Sequence, residues 1–421
     1  MLAKGWLSEG AMGQINPSVS VVTPPSFSLV KSPLALSLQE CQNTQRCRQG
    51  ETNLAYSQKL RRLADRRHGL YTRDGAFDFV TAALSTNLLR KSERYESLAE
   101  PEAVKYAVGA MQPVEAAYTL ESYTEGGRVR DRLAEGLDAA KIPAAFEFQG
   151  SVPLDVHVRG NSDVDLLVLH DAFVTYDDDA KTAFPHLYTG PYGKSAIDEL
   201  RNLRSECSAI LTRRYYGAKV DTSKSKAITL SEGSLKRMVD VVPAHWHNTV
   251  QWHQTYDKRN RDIQVYDSKN HLRIRNKPFM HIGLIEDKCK TVQGALRKVI
   301  RLLKNLRYDA DKPIDLSSYD IAAMAWQMSD KELTVPFRMD LLLVERARLH
   351  VQYIINNPLY RDALYVPDGS RKIFDTPEKR TAVQALYKEI ERLSEDMAKE
   401  LNPVAALFGN RSDVLAKAIQ L

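Results

Sequence analysis

The chain has 421 residues, of which 43% are hydrophobic and 27% charged, an ordinary composition for a globular protein of two or three domains. Its formal net charge of +6 suits a protein that handles nucleotides but does not require a nucleic-acid partner. No apolar run reaches the roughly 18 residues of a membrane helix, and no basic start precedes an apolar core as in a signal peptide. The four cysteines form no C-x-x-C pair, which argues against a zinc site or a disulfide framework, so we expect a cytoplasmic protein without a membrane partner.

The first part of the chain predicts a disordered segment followed by helices. Residues 1–52 are rich in Ser, Pro, Gln, Thr and Asn without sustained periodicity, which is typical of a disordered N-terminal extension. Between Leu54 and about Ala140, apolar residues recur at spacings of three and four, as on one face of a helix. The predicted helices are Phe77–Arg90, Pro101–Val108 and Gly127–Ala140.

The middle of the chain alternates helices with short strands, and the end is helical again. We predict strands over Phe146–Phe148, Val164–Leu169, Ala218–Asp221, Ala227–Leu230 and Arg237–Val242, with Pro243 ending the last one. Helices are predicted over Ser195–Tyr216 and over residues 291–308, 317–329, 335–357 and 376–401. This order predicts an α+β fold. A mixed-sheet core with N-terminal helices, residues 53–276, adjoins a helical lobe, residues 277–421, and the central cleft between them is the expected ligand site.

Two aspartates open a strand that the sequence predicts to be buried. Asp163 and Asp165 stand at the start of the apolar run Leu166–Leu169, and alternate residues of a strand point to one face. Their Cα atoms are expected about 6–7 Å apart, because a strand rises about 3.3 Å per residue. Carboxylates at this spacing can bridge metal ions about 3.5–4 Å apart, and bound Mg²⁺ relieves their mutual repulsion.

A third carboxylate, Asp240, lies inside the apolar strand segment Arg237–Val242. An unpaired buried carboxylate is unfavourable, so Asp240 should meet a cation. That cation is either a basic side chain or the metal ions that Asp163 and Asp165 bind. Taken together, the three carboxylates favour the metal site.

Gly150-Ser151 follows the predicted strand Phe146–Phe148 and precedes the aspartate pair. Glycine lets backbone amides approach a phosphate closely, and the serine hydroxyl can donate a further hydrogen bond. A lone Gly-Ser dipeptide indicates little by itself. Its position before Asp163 and Asp165 predicts a phosphate-binding turn.

The order Gly150-Ser151, Asp163-Val164-Asp165 and Asp240 resembles the polymerase-β-like nucleotidyltransferase superfamily. Within it, the chain resembles the cGAS/DncV-like nucleotidyltransferases of bacterial CBASS anti-phage systems. That closer resemblance rests on RGNSDVDLLV at 159–168, RMVDVVPA at 237–244, GALRKVIRLLKNLR at 294–307 and SSYDIAA at 317–323. It spans roughly residues 70–400 and implies the polymerase-β-like fold.

The resemblance implies an enzyme that makes a cyclic di- or trinucleotide from nucleoside triphosphates, with ATP and GTP expected among them, as an anti-phage signal. A ribose hydroxyl would attack the α-phosphate in line, pyrophosphate would leave, and two Mg²⁺ ions, or Mn²⁺ in their place, would assist. A separate effector protein would recognise the product. Two alternatives stay open: a transferase with another acceptor, such as an RNA 3′ end, a protein or a small molecule, and a non-catalytic nucleotide-binding module.

The resemblance also implies roles for the residues of its motif. Gly150 and Ser151 would hold the triphosphate. Asp163 and Asp165 would bind both metal ions, and Asp240 would bind the second ion and help to activate the ribose hydroxyl. Some family members are joined to other molecules through a small final residue, and the ending Ile419-Gln420-Leu421 makes such conjugation unexpected here.

The stretch 294–307 predicts a helix with an apolar stripe opposite the cations Arg297, Arg301 and Lys304. This basic face is either solvated, as is common, or supplies a cation to the triphosphate, as the resemblance implies. Lys304 is the first candidate for that contact. Lys298, at the edge of the face, is the second.

Ser318 and Tyr319 begin the next predicted helix. Serine is a good helix N-cap, and that role alone would explain Ser318. By the resemblance, Ser318 would contact a phosphate and Tyr319 would stack on a base, an interaction of about 1–3 kcal/mol.

Two other polar clusters are not expected to bind metal. The run Asp177-Asp178-Asp179 belongs to no strand pattern and predicts a solvated loop. His245, His247 and His253 lack a defined zinc spacing and are expected at surface or packing positions. No cysteine cluster matches the zinc-binding insertion of the animal DNA sensor of this superfamily, so activation by double-stranded DNA is not expected.

Overall fold

The structure, a computed structural model, describes residues 56–69 and 92–420. All of these belong to one compact unit, Glu51–Leu421. The predicted extension, residues 1–52, and the predicted helix Phe77–Arg90 lie outside the described residues. The domain boundaries predicted near residues 52 and 276 stay predictions.

The described residues form a seven-stranded sheet and helices that precede, interrupt and follow it in the chain. The strands are β1 (Ala144–Gln149), β2 (Val164–Tyr176), β3 (Lys219–Asp221), β4 (Ile228–Ser231), β5 (Val239–Asn248), β6 (Asp262–Asp267) and β7 (Leu272–Asn276). The helices up to β6 are α1 (residues 56–67), α2 (Glu102–Met111), α3 (Ala116–Ala139), α4 (Asp178–Ala183), α5 (Ala196–Arg214) and α6 (Val250–Thr255). The helices after β7 are α7 (Pro278–Thr291), α8 (Ala295–Asp309), α9 (Ser318–Trp326), α10 (Asp330–Leu333), α11 (Leu341–Asn356), α12 (Pro358–Ala363), α13 (Pro377–Leu401), α14 (Pro403–Phe408) and α15 (Arg411–Leu415). The predicted α+β class is confirmed.

The sheet places β2 and β5 side by side. Its order is β1-β2-β5-β4-β3, and β6 pairs with both β5 and β7. The β2–β5 pair is parallel, whereas the other described pairs are antiparallel. In the parallel pair Asp165 and Asp240 are direct Cα partners, and Gln149 of β1 is the partner of Asp165 on its other side. The sheet register therefore brings two of the predicted carboxylates together.

β5 continues through Pro243 to Asn248, so the prediction that Pro243 ends this strand is wrong. Along one edge, β5 pairs with β4 up to Val241 and with β6 from Ala244 onward. Pro243 lies in the gap between these two ladders, where a residue without an N–H is tolerated. The sequence prediction also lacks β6, β7 and α7.

Alternation along β2 and β5 sends side chains to two opposite faces. One face packs on α3 and α5 through the buried strand residues Val164, Leu166, Val168, Val239 and Val241. The other face carries a second apolar cluster that includes Leu167, Leu169, Val242, Ala244 and Trp246. Because side chains alternate with a period of two, Asp165 and Asp240 belong to this second face.

A third apolar cluster joins helices from both ends of the described chain, among them α2, α8, α11 and α13. Asp309 at the end of α8 pairs with the buried Arg66 and accepts a 2.8 Å hydrogen bond from Tyr106. Leu154 and Val156, from the segment between β1 and β2, belong to the same cluster. This packing attaches the segment after Gly150 to the helices. Within the described residues, every helix is too short or too polar to cross a membrane.

Candidate active site

The three predicted aspartates come together where β2 and β5 begin. Asp165 lies opposite Asp240 across the parallel pair, and Asp163 directly precedes β2. Burial and then the negative charges of Asp240 and Asp163 raise the pKa of Asp165 to about 7. The carboxylates are therefore close enough to repel one another.

Asp240 is held by two side chains from β4 and the loop before it. Lys224 Nζ donates hydrogen bonds of 3.1 and 2.9 Å to the two carboxylate oxygens, and Thr229 Oγ1 donates one of 2.6 Å. The Asp240 side chain is 13% exposed and the Lys224 side chain 40%. The sequence left two possible cations for Asp240, a basic side chain or metal ions. The structure shows the basic side chain, Lys224. The neighbouring carboxylates Asp163 and Asp165 also suit metal ions.

The cluster fits a hard divalent cation by charge and donor type. Among the described residues, no group of three or more His, Cys, Asp or Glu side chains is arranged so that it could hold a metal ion. At this site the Asp240 carboxylate is engaged by Lys224 and Thr229 instead. A buried carboxylate with a raised pKa beside two others is nevertheless a group whose charged form a cation stabilises. Its oxygen donors are those that Mg²⁺ prefers.

A cavity of about 610 Å³ adjoins the carboxylates. Its lining includes most of the predicted contacts, namely Gly150, Ser151, Asp163, Asp165, Lys304, Ser318 and Tyr319. Asp240 and Lys298 are not part of this lining. The volume lies in the range of small-molecule sites in proteins.

Gly150 forms a tight turn directly after β1. Its φ is +79°, a left-handed conformation that favours glycine. A Cβ at this position would collide with the carboxylate of Asp165. The turn therefore requires glycine both for its backbone conformation and for its close approach to the metal-site candidate.

The basic face of α8 is buried against the chain, so the alternative of a solvated face is wrong. Arg301 and Lys304 are only 5% and 1% exposed. The cations Arg297, Arg301 and Lys304 donate hydrogen bonds of 2.9, 2.7 and 2.6 Å to the backbone carbonyls of Leu154, Asp155 and Val156, respectively. The sequence predicts the apolar stripe of α8 but not that the segment between β1 and β2 covers its other face.

The two candidate lysines of α8 have different surroundings. Burial and the nearby charge of Arg307 lower the pKa of Lys304 to about 7, while Asp165 opposes that shift. Lys298 instead forms an ion pair of 2.6 Å with Asp340, outside the cavity lining. The structure therefore brings Lys304, and not Lys298, to the carboxylates.

α9 is capped by Ser317 and not by Ser318. The Ser317 hydroxyl accepts a 3.0 Å hydrogen bond from the Asp320 amide. The capping alternative for Ser318 is therefore wrong, and Ser318 lines the cavity. The Tyr319 ring stacks on His281 with centroids 4.1 Å apart, and its hydroxyl donates a hydrogen bond to Asp368.

Three further cavity residues, His281, Arg307 and Tyr308, are absent from the sequence prediction. Arg307 follows Lys304 by three residues, so helical spacing could have placed these two cations on neighbouring positions. Tyr308 donates a 3.1 Å hydrogen bond to the carbonyl of Asn161. His281 carries no such signal, because α7 itself is missing from the prediction.

The other polar clusters have structural contacts. His245, His247 and His253 are buried, and their rings contact Trp246, Thr175 and Tyr188, respectively. Packing positions for these histidines are confirmed. Asp177 accepts two hydrogen bonds from Arg275, whereas Asp178 and Asp179 are exposed. The acidic run begins α4 and is therefore not the predicted loop.

No family model matches the sequence. Over 341 residues, the chain is 34% identical to the cyclic dinucleotide synthase CdnE of Yersinia aleksiciae. The matched region covers 79% of this chain and 88% of that protein. This chain belongs to the cGAS/DncV-like nucleotidyltransferases. It is a nucleotidyltransferase of the family that makes cyclic oligonucleotides from nucleoside triphosphates in anti-phage signalling.

Two further similarities agree with this membership. The cGAS/DncV-like chain is 27% identical over 322 residues to a c-di-GMP synthase of Lachnospiraceae bacterium (strain RUG226), covering 71% of this chain and 89% of the relative. It also matches the solved structure of the STING-associated CdnE c-di-GMP synthase from Capnocytophaga granulosa at 25% identity and a TM-score of 0.61. That match covers 80% of this chain and 97% of the solved one, which confirms the predicted nucleotidyltransferase fold.

Proposed function

We propose that this enzyme makes a cyclic dinucleotide, with GTP as the first candidate substrate. The observation that carries the proposal is the pairing of Asp165 with Asp240 beside a cavity of about 610 Å³. The names of the relatives, a cyclic dinucleotide synthase and c-di-GMP synthases, support the product class and the choice of GTP.

The metal site we propose consists of Asp163, Asp165 and Asp240, which would hold two Mg²⁺ ions or Mn²⁺ in their place. Bound there, divalent ions supply Lewis-acid stabilisation of the charge that develops at the α-phosphate. The raised pKa of Asp165 supports the site. It results from burial and from the neighbouring carboxylates, and a bound cation would stabilise the charged form of Asp165. We propose that the Asp240 carboxylate helps to activate the attacking ribose hydroxyl by accepting its proton.

The remaining assignments concern the nucleotide. The backbone amides of Gly150 and Ser151 would bind the triphosphate, because the glycine turn permits close approach. Lys304 would offset phosphate charge, and its place in the cavity lining supports it over Lys298. Ser318 would donate to a phosphate oxygen, and the Tyr319 ring would stack on a base.

The reaction then runs as two successive transfers. The ribose hydroxyl of one nucleotide attacks the α-phosphate of another, a new P–O bond forms, and the bond to pyrophosphate breaks. Repetition within the linear intermediate closes the ring and releases a second pyrophosphate. We propose that this happens in the cytoplasm and that a separate effector protein recognises the product, as the name of the STING-associated relative suggests.

The test is product analysis with purified full-length protein, Mg²⁺, and either GTP alone or all four nucleoside triphosphates. We expect a phosphatase-resistant cyclic dinucleotide by mass spectrometry, and none from the Asp163→Asn/Asp165→Asn variant. Asp178→Asn/Asp179→Asn removes two exposed acids and is the matched control, expected to retain activity.

Other outcomes separate the alternatives. Linear products, or turnover only with an added RNA, protein or small-molecule acceptor, would indicate a different acceptor. Nucleotide binding without turnover would indicate a binding module. Undiminished product from the Asp163→Asn/Asp165→Asn variant would overturn the proposed site.

A further inference from the structure

The loop between β3 and β4, which carries Lys224, is anchored from two directions. Arg204 of α5, itself 7% exposed, donates hydrogen bonds through Nη2 to three loop carbonyls, those of Thr222, Lys224 and Ala227. The amide and the hydroxyl of Ser268 both donate to the Ser225 carbonyl, at 2.9 and 3.0 Å. The position of Lys224 is therefore set by the fold and not by the lysine alone.

Lys224 brings positive charge to the point where the carboxylates repel one another. Its Nζ lies 2.9 Å from Asp240 Oδ2, and Asp240 is the strand partner of Asp165. Thr229 binds the same carboxylate and restricts its orientation. Lys226, two residues further along, is exposed, and its charge acts on Asp267 instead.

We propose that Lys224 is a built-in counter-ion of the carboxylate cluster, which competes with divalent cations for Asp240 and thereby lowers the metal affinity of the free enzyme. The inference rests on the proposed function, since it takes the three aspartates as metal ligands. Two cations beside one carboxylate repel each other. An entering ion must therefore displace the ammonium group of Lys224 or share the Asp240 carboxylate with it. Lys224 is 40% exposed, so its flexible stem can carry the charge into solvent.

The competition has a consequence for the order of binding. Nucleoside triphosphates bring negative charge and additional oxygen ligands, which offset the repulsion from Lys224. Metal ions would then bind weakly to the free enzyme and more strongly together with nucleotide. Lys224 is on this account a positioning residue that couples metal binding to substrate binding.

The test measures Mn²⁺ binding to the full-length protein without nucleotide, from the paramagnetic resonance signal of free Mn²⁺. Lys224→Met removes the charge but keeps a stem of similar length, and we expect its Mn²⁺ affinity to rise about three- to tenfold. Lys224→Gln provides a second neutral variant if Lys224→Met does not fold. Lys224→Arg keeps the charge and should restore the wild-type affinity, and Lys226→Met is the matched control on the same loop.

The outcomes distinguish this inference from the proposed function. Unchanged or weaker Mn²⁺ binding by the folded neutral variants would overturn the counter-ion role, as would equal tightening in Lys226→Met. The Asp163→Asn/Asp165→Asn variant tests the metal site separately, because it should lose Mn²⁺ binding whatever Lys224 does. Wild-type Mn²⁺ affinity in that variant would overturn the metal site itself.

Discussion

Asp165 and Asp240 are direct partners across the parallel β2–β5 pair, although α4, α5, β3 and β4 separate them along the chain. Opposite residues in a parallel pair point to the same face, so the register alone brings the two carboxylates together. A slip of one residue would turn Asp240 toward the apolar cluster under α3 and α5. The proposed active site therefore depends on the same packing that holds the sheet in register.

Replacing Gly150 by alanine tests the close approach between the turn and the carboxylates. The residue has a φ of +79°, and a Cβ there would collide with the Asp165 carboxylate. We expect Gly150→Ala to reduce the rate of product formation about a hundredfold, since small displacements of reacting groups have effects of that size. Initial rates measure this loss of activity, and thermal unfolding of the same preparations measures any change in stability.

Gly193→Ala is the matched control for Gly150→Ala. Gly193 has a φ of +81°, but no atom lies within 4 Å of where its Cβ would be. This variant should lose about 1 kcal/mol of stability from backbone strain and keep its activity. Equal losses of activity in both variants would show that backbone strain, and not contact with Asp165, limits the enzyme.

The sequence predicts what depends on local periodicity and misses what depends on long-range packing. Alternation predicts that Asp163 and Asp165 share a face, but nothing local sets the register that brings Asp240 to Asp165. The period of α8 identifies its apolar stripe, yet Lys304 is buried because a distant segment binds its other face. Lys224 belongs to no pattern, and only the fold shows that it meets Asp240.

Lys304→Met tests whether the cation in the cavity binds the triphosphate. Charge-assisted hydrogen bonds contribute about 1.5–3 kcal/mol, so we expect kcat/KM for the nucleotide to fall about ten- to hundredfold. Lys298→Met removes the same charge from the same helix, where it pairs with Asp340 outside the cavity lining. Steady-state kinetics should give wild-type values for Lys298→Met. A similar fall in both variants would point to the overall charge of α8 and not to one contact.

Tyr319 is expected to serve the nucleotide through its ring and the fold through its hydroxyl. Tyr319→Phe removes only the hydrogen bond to Asp368, so it should lose about 1 kcal/mol of stability with little change in KM. Tyr319→Ala also removes the stacking surface, and nucleotide binding should weaken about five- to hundredfold. Calorimetric titration with a non-hydrolysable nucleotide measures the difference. If Tyr319→Phe weakened binding as much as Tyr319→Ala, the hydroxyl and not the ring would be the nucleotide contact.

Because His245 is buried, we expect the fold to lose stability in acid. Burial lowers the pKa of His245 from the ordinary 6.5 to about 4. Between pH 6.5 and about pH 4, His245 is therefore protonated in the unfolded chain but neutral in the folded chain. Falling pH across this window favours unfolding, because the unfolded chain binds the additional proton. The loss from this one residue can reach about 3 kcal/mol.

His245→Gln removes the titrating group, so its free energy of unfolding should fall less steeply between pH 6.5 and 4 than that of the wild type. Part of the slope should persist, because burial also lowers the pKa of His157 and of His281 to about 4. Urea unfolding at a series of pH values measures the slope, with His186→Gln at an exposed position as the control for the change of residue. An unchanged slope in His245→Gln would mean that the folded protein accommodates the charged imidazolium, and that acid acts on the fold elsewhere.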